Sequence, residues 1–76
     1  MTKVYSLPNC QMCRATKNYL EKRGHDYEVV DLADSPDDAE RFKRLGLMQA
    51  PIVEHGDMLF SGFQPQMLDE VVKYAA

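Results

Sequence analysis

A short apolar segment, Lys3-Val4-Tyr5-Ser6-Leu7, is stopped by Pro8-Asn9 and followed at once by an amphipathic pattern. This switch constrains the fold more than anything else in the sequence. Residues 3–7 read as a strand bounded by turn formers. From Cys10 to Arg23 the apolar positions Met12, Ala15, Tyr19 and Leu20 recur at three- and four-residue steps. That period predicts an amphipathic helix with Gly24 as its C-terminal stop. Tyr27 to Leu32, carrying Val29 and Val30, reads as a second strand. Strand, helix and strand in this order imply a parallel pair joined by a right-handed crossover.

The remainder extends the pattern. Ser35 is an expected N-cap, with Pro36 at the first helical position and Asp37 and Asp38 in the first turn. That helix is expected to bury Ala39, Phe42 and Leu45 and to end at Gly46. Pro51 to Glu54 and Met58 to Phe60 form a hairpin across His55-Gly56-Asp57. A last helix from Pro65 places Met67, Leu68, Val71, Val72 and Ala75 on one face. The order β-α-β-α-β-β-α predicts an α/β chain, a four-stranded mixed sheet covered by three helices. With 76 residues and 45% hydrophobic content, the expectation is one domain spanning residues 1–76. Nine Lys and Arg against 12 Asp and Glu give a net charge of −3, which argues against nucleic acid or an anionic membrane as partner. No apolar run approaches the roughly 20 residues of a membrane span. With no secretory segment at the start, a cytoplasmic location is expected.

The two cysteines, Cys10 and Cys13, fall where the first strand gives way to the first helix, at the carboxyl edge of a parallel sheet, where such folds meet their ligands. A secreted domain of this size would carry several disulfide staples. Closing a loop as short as Cys10–Cys13 contributes only roughly 2 kcal/mol, against about 3 for a 15-residue loop. Such a bridge can open and close without unfolding the chain, as a working dithiol must. A cysteine at a helix start faces unpaired backbone N–H groups and the positive end of the helix dipole, which favour its thiolate. An ordinary thiol is only about 7% ionised at pH 7.4, whereas one shifted to near 7 is about 70% ionised. Cys10 is therefore the expected nucleophile, and Cys13, one turn on, the resolving thiol.

Other readings of these residues compete. A Cys2His2 zinc site fails on spacing, because 29 residues separate His25 from His55 where a finger wants three to five. A second Cys-x-x-Cys from another chain could instead complete a metal or cluster site. His25 and His55, beside glycines in turns, are expected to be solvated. The methionines lie mainly at helical apolar positions or in strands and are expected to fill the core instead of forming a ligand box, except Met12, which lies between the cysteines and is expected to face a partner. Asp31, Asp34, Asp37 and Asp38 read as a solvated cluster with helix-start stabilisation. Ala50-Pro51 leads into a strand, and by the residues alone the bond is expected to be trans.

Cys10-Gln11-Met12-Cys13 after Val4-Tyr5, then Ala15-Thr16-Lys17, Gln49-Ala50-Pro51-Ile52-Val53 and Phe60-Ser61-Gly62-Phe63-Gln64-Pro65, together resemble the NrdH-redoxins, glutaredoxin-like proteins with thioredoxin-like behaviour. The resemblance covers essentially the whole chain and implies a thioredoxin fold with a cis Pro51 beside the dithiol. It also implies a partner groove formed by Gln11, Met12, Gln49, Ala50, Pro51, Ser61, Gly62 and Phe63, in which the Ala50 backbone pairs with an extended partner segment. Members of this group typically take electrons from NADPH through thioredoxin reductase and pass them to the large subunit of class Ib ribonucleotide reductase. The resemblance thus implies a monomeric carrier with no bound cofactor or metal.

The chain departs from the group in places. Its motif holds Gln11 then Met12 instead of an apolar residue then Gln. Phe60 replaces a Trp, Gln64 an Arg, and Leu7 a Lys or Arg. The last change bears on the alternative, a glutathione-dependent glutaredoxin. Glutathione carries two carboxylates and an amine, and glutaredoxins typically hold it with a cation near the first strand and an acid before the last helix. Leu7 and the acid-free Ser61-Gly62-Phe63-Gln64-Pro65 supply neither.

Overall fold

A computed structural model describes residues 1–75. It contains β1 (Thr2–Ser6), α1 (Gln11–Lys22), β2 (Glu28–Asp31), α2 (Pro36–Arg44), β3 (Ile52–His55), β4 (Met58–Ser61) and α3 (Pro65–Ala75), the order expected from the sequence. The strands form one mixed sheet in the order β2-β1-β3-β4. β1 runs parallel to β2 and antiparallel to β3, and β3 pairs antiparallel with β4.

Alternation along β1 divides the core in two. Val4 faces one side with its register partner Val53, and Tyr5 faces the other with Ile52. On the Val4 side, Leu20 of α1 and Leu68 and Val71 of α3 complete a fully buried cluster with Phe60. On the Tyr5 side, Phe42 of α2 meets the Tyr5 ring edge-on at 4.7 Å. The Tyr5 hydroxyl donates to Glu54 Oε1 (3.1 Å); burial and that carboxylate push the phenol up to about 12. Two helices therefore cover one face of the sheet and one covers the other, as a thioredoxin-like fold requires.

Several local expectations need correction. The inward row of α1 is Cys13, Thr16 and Leu20, whereas Met12, Ala15 and Tyr19 are half-buried. Thr16 is admitted to the core because its hydroxyl donates to the Met12 carbonyl, 2.9 Å away, and leaves only its methyl to pack. Leu45 is 57% exposed, lying beyond the last turn of α2, and Ala39 is half-buried, so Phe42 alone is that helix's buried anchor. The second strand stops at Asp31, and Leu32–Asp34 forms a 3-10 turn whose start is capped by the Asp31 carboxylate on the Ala33 N–H (2.9 Å). Ser35 is the N-cap of α2 by position but makes no side-chain cap bond. In α3, Leu68 and Val71 are buried and Met67 and Val72 partly so; the Ala75 side chain falls outside the described residues.

Candidate functional site: a dithiol at a helix N-terminus

The site begins where β1 ends. Asn9 takes a left-handed conformation (φ 58°), one that asparagine tolerates better than most residues, and turns the chain from the strand into α1. Cys10 is then the N-cap residue of α1, and its Sγ accepts from the Cys13 backbone N–H at 3.1 Å. The cap role usually taken by a Ser or Asp oxygen is here filled by sulfur. No acidic residue stands in the first turn to oppose negative charge on that sulfur. Cys13, one turn on, is bonded to Cys10 in a disulfide, with Cα atoms 5.2 Å apart. The two residues differ in exposure: Cys10 is half-buried, whereas Cys13 is 1% exposed.

The second wall is the segment before β3. The Ala50–Pro51 peptide bond is cis, as the family resemblance implied and contrary to the trans bond favoured by the residues alone. Cys10 Sγ lies 3.8 Å from the Ala50 carbonyl oxygen. The Gly62 N–H donates to the Pro51 carbonyl at 2.7 Å, extending the β3–β4 ladder and setting Ser61-Gly62 alongside Ala50-Pro51. Gly62 is buried with φ +81°, a left-handed conformation that favours glycine. Gln49, exposed, directs its amide toward Met12 Sδ (3.9 Å) across the mouth of the site. Ser61 and Phe63 are half-buried, and Gln11 is exposed at the start of the helix. Ala50 is thus set against Cys10, Gln49 against Met12, and Gly62 against Pro51, three contacts that join separate parts of the chain.

The departures at Phe60 and Gln64 have visible consequences. Phe60 is part of the core, and Gln64 Nε2 donates to the Ser61 carbonyl (2.7 Å), closing the turn before α3 on itself. A different brace holds Phe63. Its ring meets Tyr19 edge-on at 5.9 Å; the Tyr19 hydroxyl donates to Asp69 Oδ1 at 2.6 Å, and the Arg23 guanidinium lies 3.4 Å over the Tyr19 ring. Sequence reasoning missed this link between α1 and α3, although the i, i+4 spacing of Tyr19 and Arg23 was a signal for it.

His25 and His55 depart from expectation. Both are half-buried, and each ring has a nitrogen 2.7 Å from the hydroxyl of Thr2, which is 1% exposed. They stand at the start of β1, the opposite end of that strand from the cysteines. Among the described residues, no helix is long and apolar enough to cross a membrane.

Known proteins agree with this geometry. The glutaredoxin family model matches residues 2–60. The glutaredoxin-like protein NrdH of Salmonella typhimurium is 38% identical, over 90% of this chain and 84% of its own length. The protein of the same name from Lactococcus lactis is 31% identical, over 90% and 94% respectively. The solved structure of the glutaredoxin-like protein NrdH-redoxin from Escherichia coli, described as having a thioredoxin-like activity profile, superposes with a TM-score of 0.88 at 36% identity, covering 92% of both chains. With a Cys-x-x-Cys pair capping the first helix of a thioredoxin-like fold, this chain belongs to the glutaredoxin family, among its NrdH-like redox proteins.

Proposed function

We propose that the protein is a dithiol electron carrier that reduces disulfides of protein partners and is itself re-reduced, with electrons from NADPH, by thioredoxin reductase. The observation that carries this reading is half-buried Cys10, its sulfur capped by the Cys13 N–H and set beside the Ala50 carbonyl, with Cys13 fully buried one turn on. Cys10 is the nucleophile and Cys13 the resolving thiol. In the forward half-reaction the Cys10 thiolate attacks one sulfur of the partner disulfide, forming a mixed disulfide and expelling the other partner sulfur as thiolate. Cys13, deprotonated, then attacks Cys10 Sγ, releases the second partner thiolate and closes the Cys10–Cys13 bridge. Two electrons pass to the partner. The reductase reverses the sequence with two electrons that originate in NADPH, and no cofactor resides in the chain.

Partner choice follows from the walls of the site. The Ala50 backbone is the edge against which an extended partner segment pairs, flanked by Gln11, Met12, Gln49, Ser61, Gly62 and Phe63. Beside Ala50 an open groove of about 250 Å3 is lined by Leu7, Phe42, Leu47, Met48 and Ile52. Leu7, 44% exposed, presents a hydrocarbon where glutathione would need a cation, and residues 61–65 contain no acid. A protein segment suits these walls better than a small charged tripeptide does. By family likeness the acceptor is the large subunit of class Ib ribonucleotide reductase, and the carrier works as a cytoplasmic monomer.

The test is NADPH oxidation with a model disulfide substrate, driven once by thioredoxin reductase and once by glutathione with glutathione reductase. Fast turnover with thioredoxin reductase alone is expected. Turnover with glutathione alone would overturn the reading and make the protein a glutathione-dependent glutaredoxin.

A further inference from the structure

The wall that faces the dithiol touches α1 at the mouth of the site and again further along the helix. At the mouth, the Ala50 carbonyl is 3.8 Å from Cys10 Sγ, and the exposed Gln49 amide is 3.9 Å from Met12 Sδ. Sulfur makes only weak hydrogen bonds, so these contacts yield to a partner whose chain pairs with the Ala50 backbone. The other contact lies six residues beyond Cys13, where the ring of Tyr19 meets the ring of Phe63 edge-on at 5.9 Å. Phe63 follows Gly62, whose N–H donates to the Pro51 carbonyl at 2.7 Å. The Tyr19–Phe63 pair therefore reaches the Ala50-Pro51 segment through one residue and one hydrogen bond.

Tyr19 is itself pinned. Its hydroxyl donates to Asp69 Oδ1 of α3 at 2.6 Å, the Arg23 guanidinium lies 3.4 Å over its ring, and Arg23 Nε stands 3.5 Å from the same Asp69 oxygen. The Asp69 bond, then burial, raise the phenol above its ordinary value, so it stays a donor at neutral pH. An exposed ion pair such as Arg23–Asp69 adds little alone, but here it joins two contacts that converge on one ring. Gln64 does not share the task, because its amide is turned back on the Ser61 carbonyl. We propose that Tyr19 is a positioning residue for the partner groove: acting through Phe63, it holds the Ser61-Gly62-Phe63 wall against α1 while a partner segment displaces the contacts at the mouth. Positioning of this kind presupposes the disulfide exchange proposed above. Its consequence is selective, because a protein segment needs the groove formed along its length, whereas a small disulfide needs only Cys10.

The experiment mixes chemically reduced protein with insulin, a protein disulfide, or with hydroxyethyl disulfide, a small one. Oxidation of the Cys10–Cys13 pair is followed as substrate concentration rises. Tyr19→Leu keeps α1 helical and apolar but removes the ring. It should raise the half-saturating insulin concentration about three- to tenfold, the worth of one aromatic pair, and leave the limiting rate within about twofold. Its rate with hydroxyethyl disulfide should also stay within about twofold. Tyr19→Phe, which keeps the ring and loses only the hydroxyl, should recover most of the insulin affinity. In a Phe63→Leu background, Tyr19→Leu should add nothing further, since the two act as one unit. Unchanged half-saturation in Tyr19→Leu would overturn the proposal, as would an equal loss with the small disulfide or a full second loss in the Phe63→Leu chain. A parent chain inert toward both disulfides would overturn the carrier role and the positioning together.

Discussion

Reducing the Cys10–Cys13 bridge should shift the thermal midpoint only modestly, and the structure gives the size of the shift. The bridge closes a four-residue loop, so the chain entropy it removes from the unfolded state contributes about 2 kcal/mol to the oxidised form. Opening it recovers part of that. A Cys10 thiolate keeps the Cys13 N–H at its sulfur and sits at the positive end of α1 with no acid in the first turn, an arrangement worth about 0.3–1 kcal/mol. Cys13 stays buried as a small apolar group, so its packing persists in both forms. The difference left is about 1–1.7 kcal/mol in favour of the oxidised protein. For a chain of this length 1 kcal/mol moves the midpoint by about 4–8 °C. The oxidised form should therefore melt roughly 4–14 °C above the reduced form, by calorimetry at one pH with and without a phosphine reductant. A gap beyond about 20 °C, loss of cooperative melting on reduction, or a reduced form that melts higher would refute the reasoning. Near-equal stability is what lets the sulfurs cycle without unfolding the chain at each turnover.

Three further outcomes rest on the same fold. Leu68→Ala empties a site of 0% exposure between α3 and the sheet and should cost about 2–5 kcal/mol by urea unfolding; a loss under 1 kcal/mol would contradict the placement of that core. Gly62→Ala meets no close atom, its nearest being Gln49 Oε1 at 3.8 Å, yet it forces a side chain into φ +81°. It should destabilise by about 1 kcal/mol and slow exchange with protein disulfides, and unchanged stability would show that the turn relaxes. Because the His25 pKa lies below its ordinary value in the folded chain, the unfolded chain takes up a proton that the fold resists. Stability is thus complete above pH 6.5 and falls as pH drops below it; His25→Gln should flatten that fall in urea midpoints at pH 7.5 and 5.5, and an unflattened curve would place its origin elsewhere.

The sequence made the frame legible because each element carried its own local signal. The strand broken by Pro8-Asn9, the helix stop at Gly24 (φ +66°) and the hairpin at Gly56 all appear where expected. Apolar periodicity located α1 but not its most buried row, because two of the three buried residues, Cys13 and Thr16, do not act as apolar anchors in such a pattern. Leu45 looked like a core residue by its step from Phe42, but the helix ends at Arg44 and leaves it outside. The cis bond at Pro51 has no signature in its neighbours and was legible only through family resemblance. The His25–Thr2–His55 contact joins residues 23 and 53 positions apart, so no local pattern could carry it.

The central claim, that Cys10 attacks and Cys13 resolves, is tested most directly by trapping. Cys13→Ser should leave a Cys10 thiolate that attacks a disulfide-containing protein substrate, expels one substrate sulfur as thiolate and stalls as the mixed disulfide. Mass spectrometry should find that adduct on Cys10 alone, accumulating in place of product. Full turnover by the Cys13→Ser chain, or trapping through Cys13 in a Cys10→Ser chain, would contradict the assigned roles.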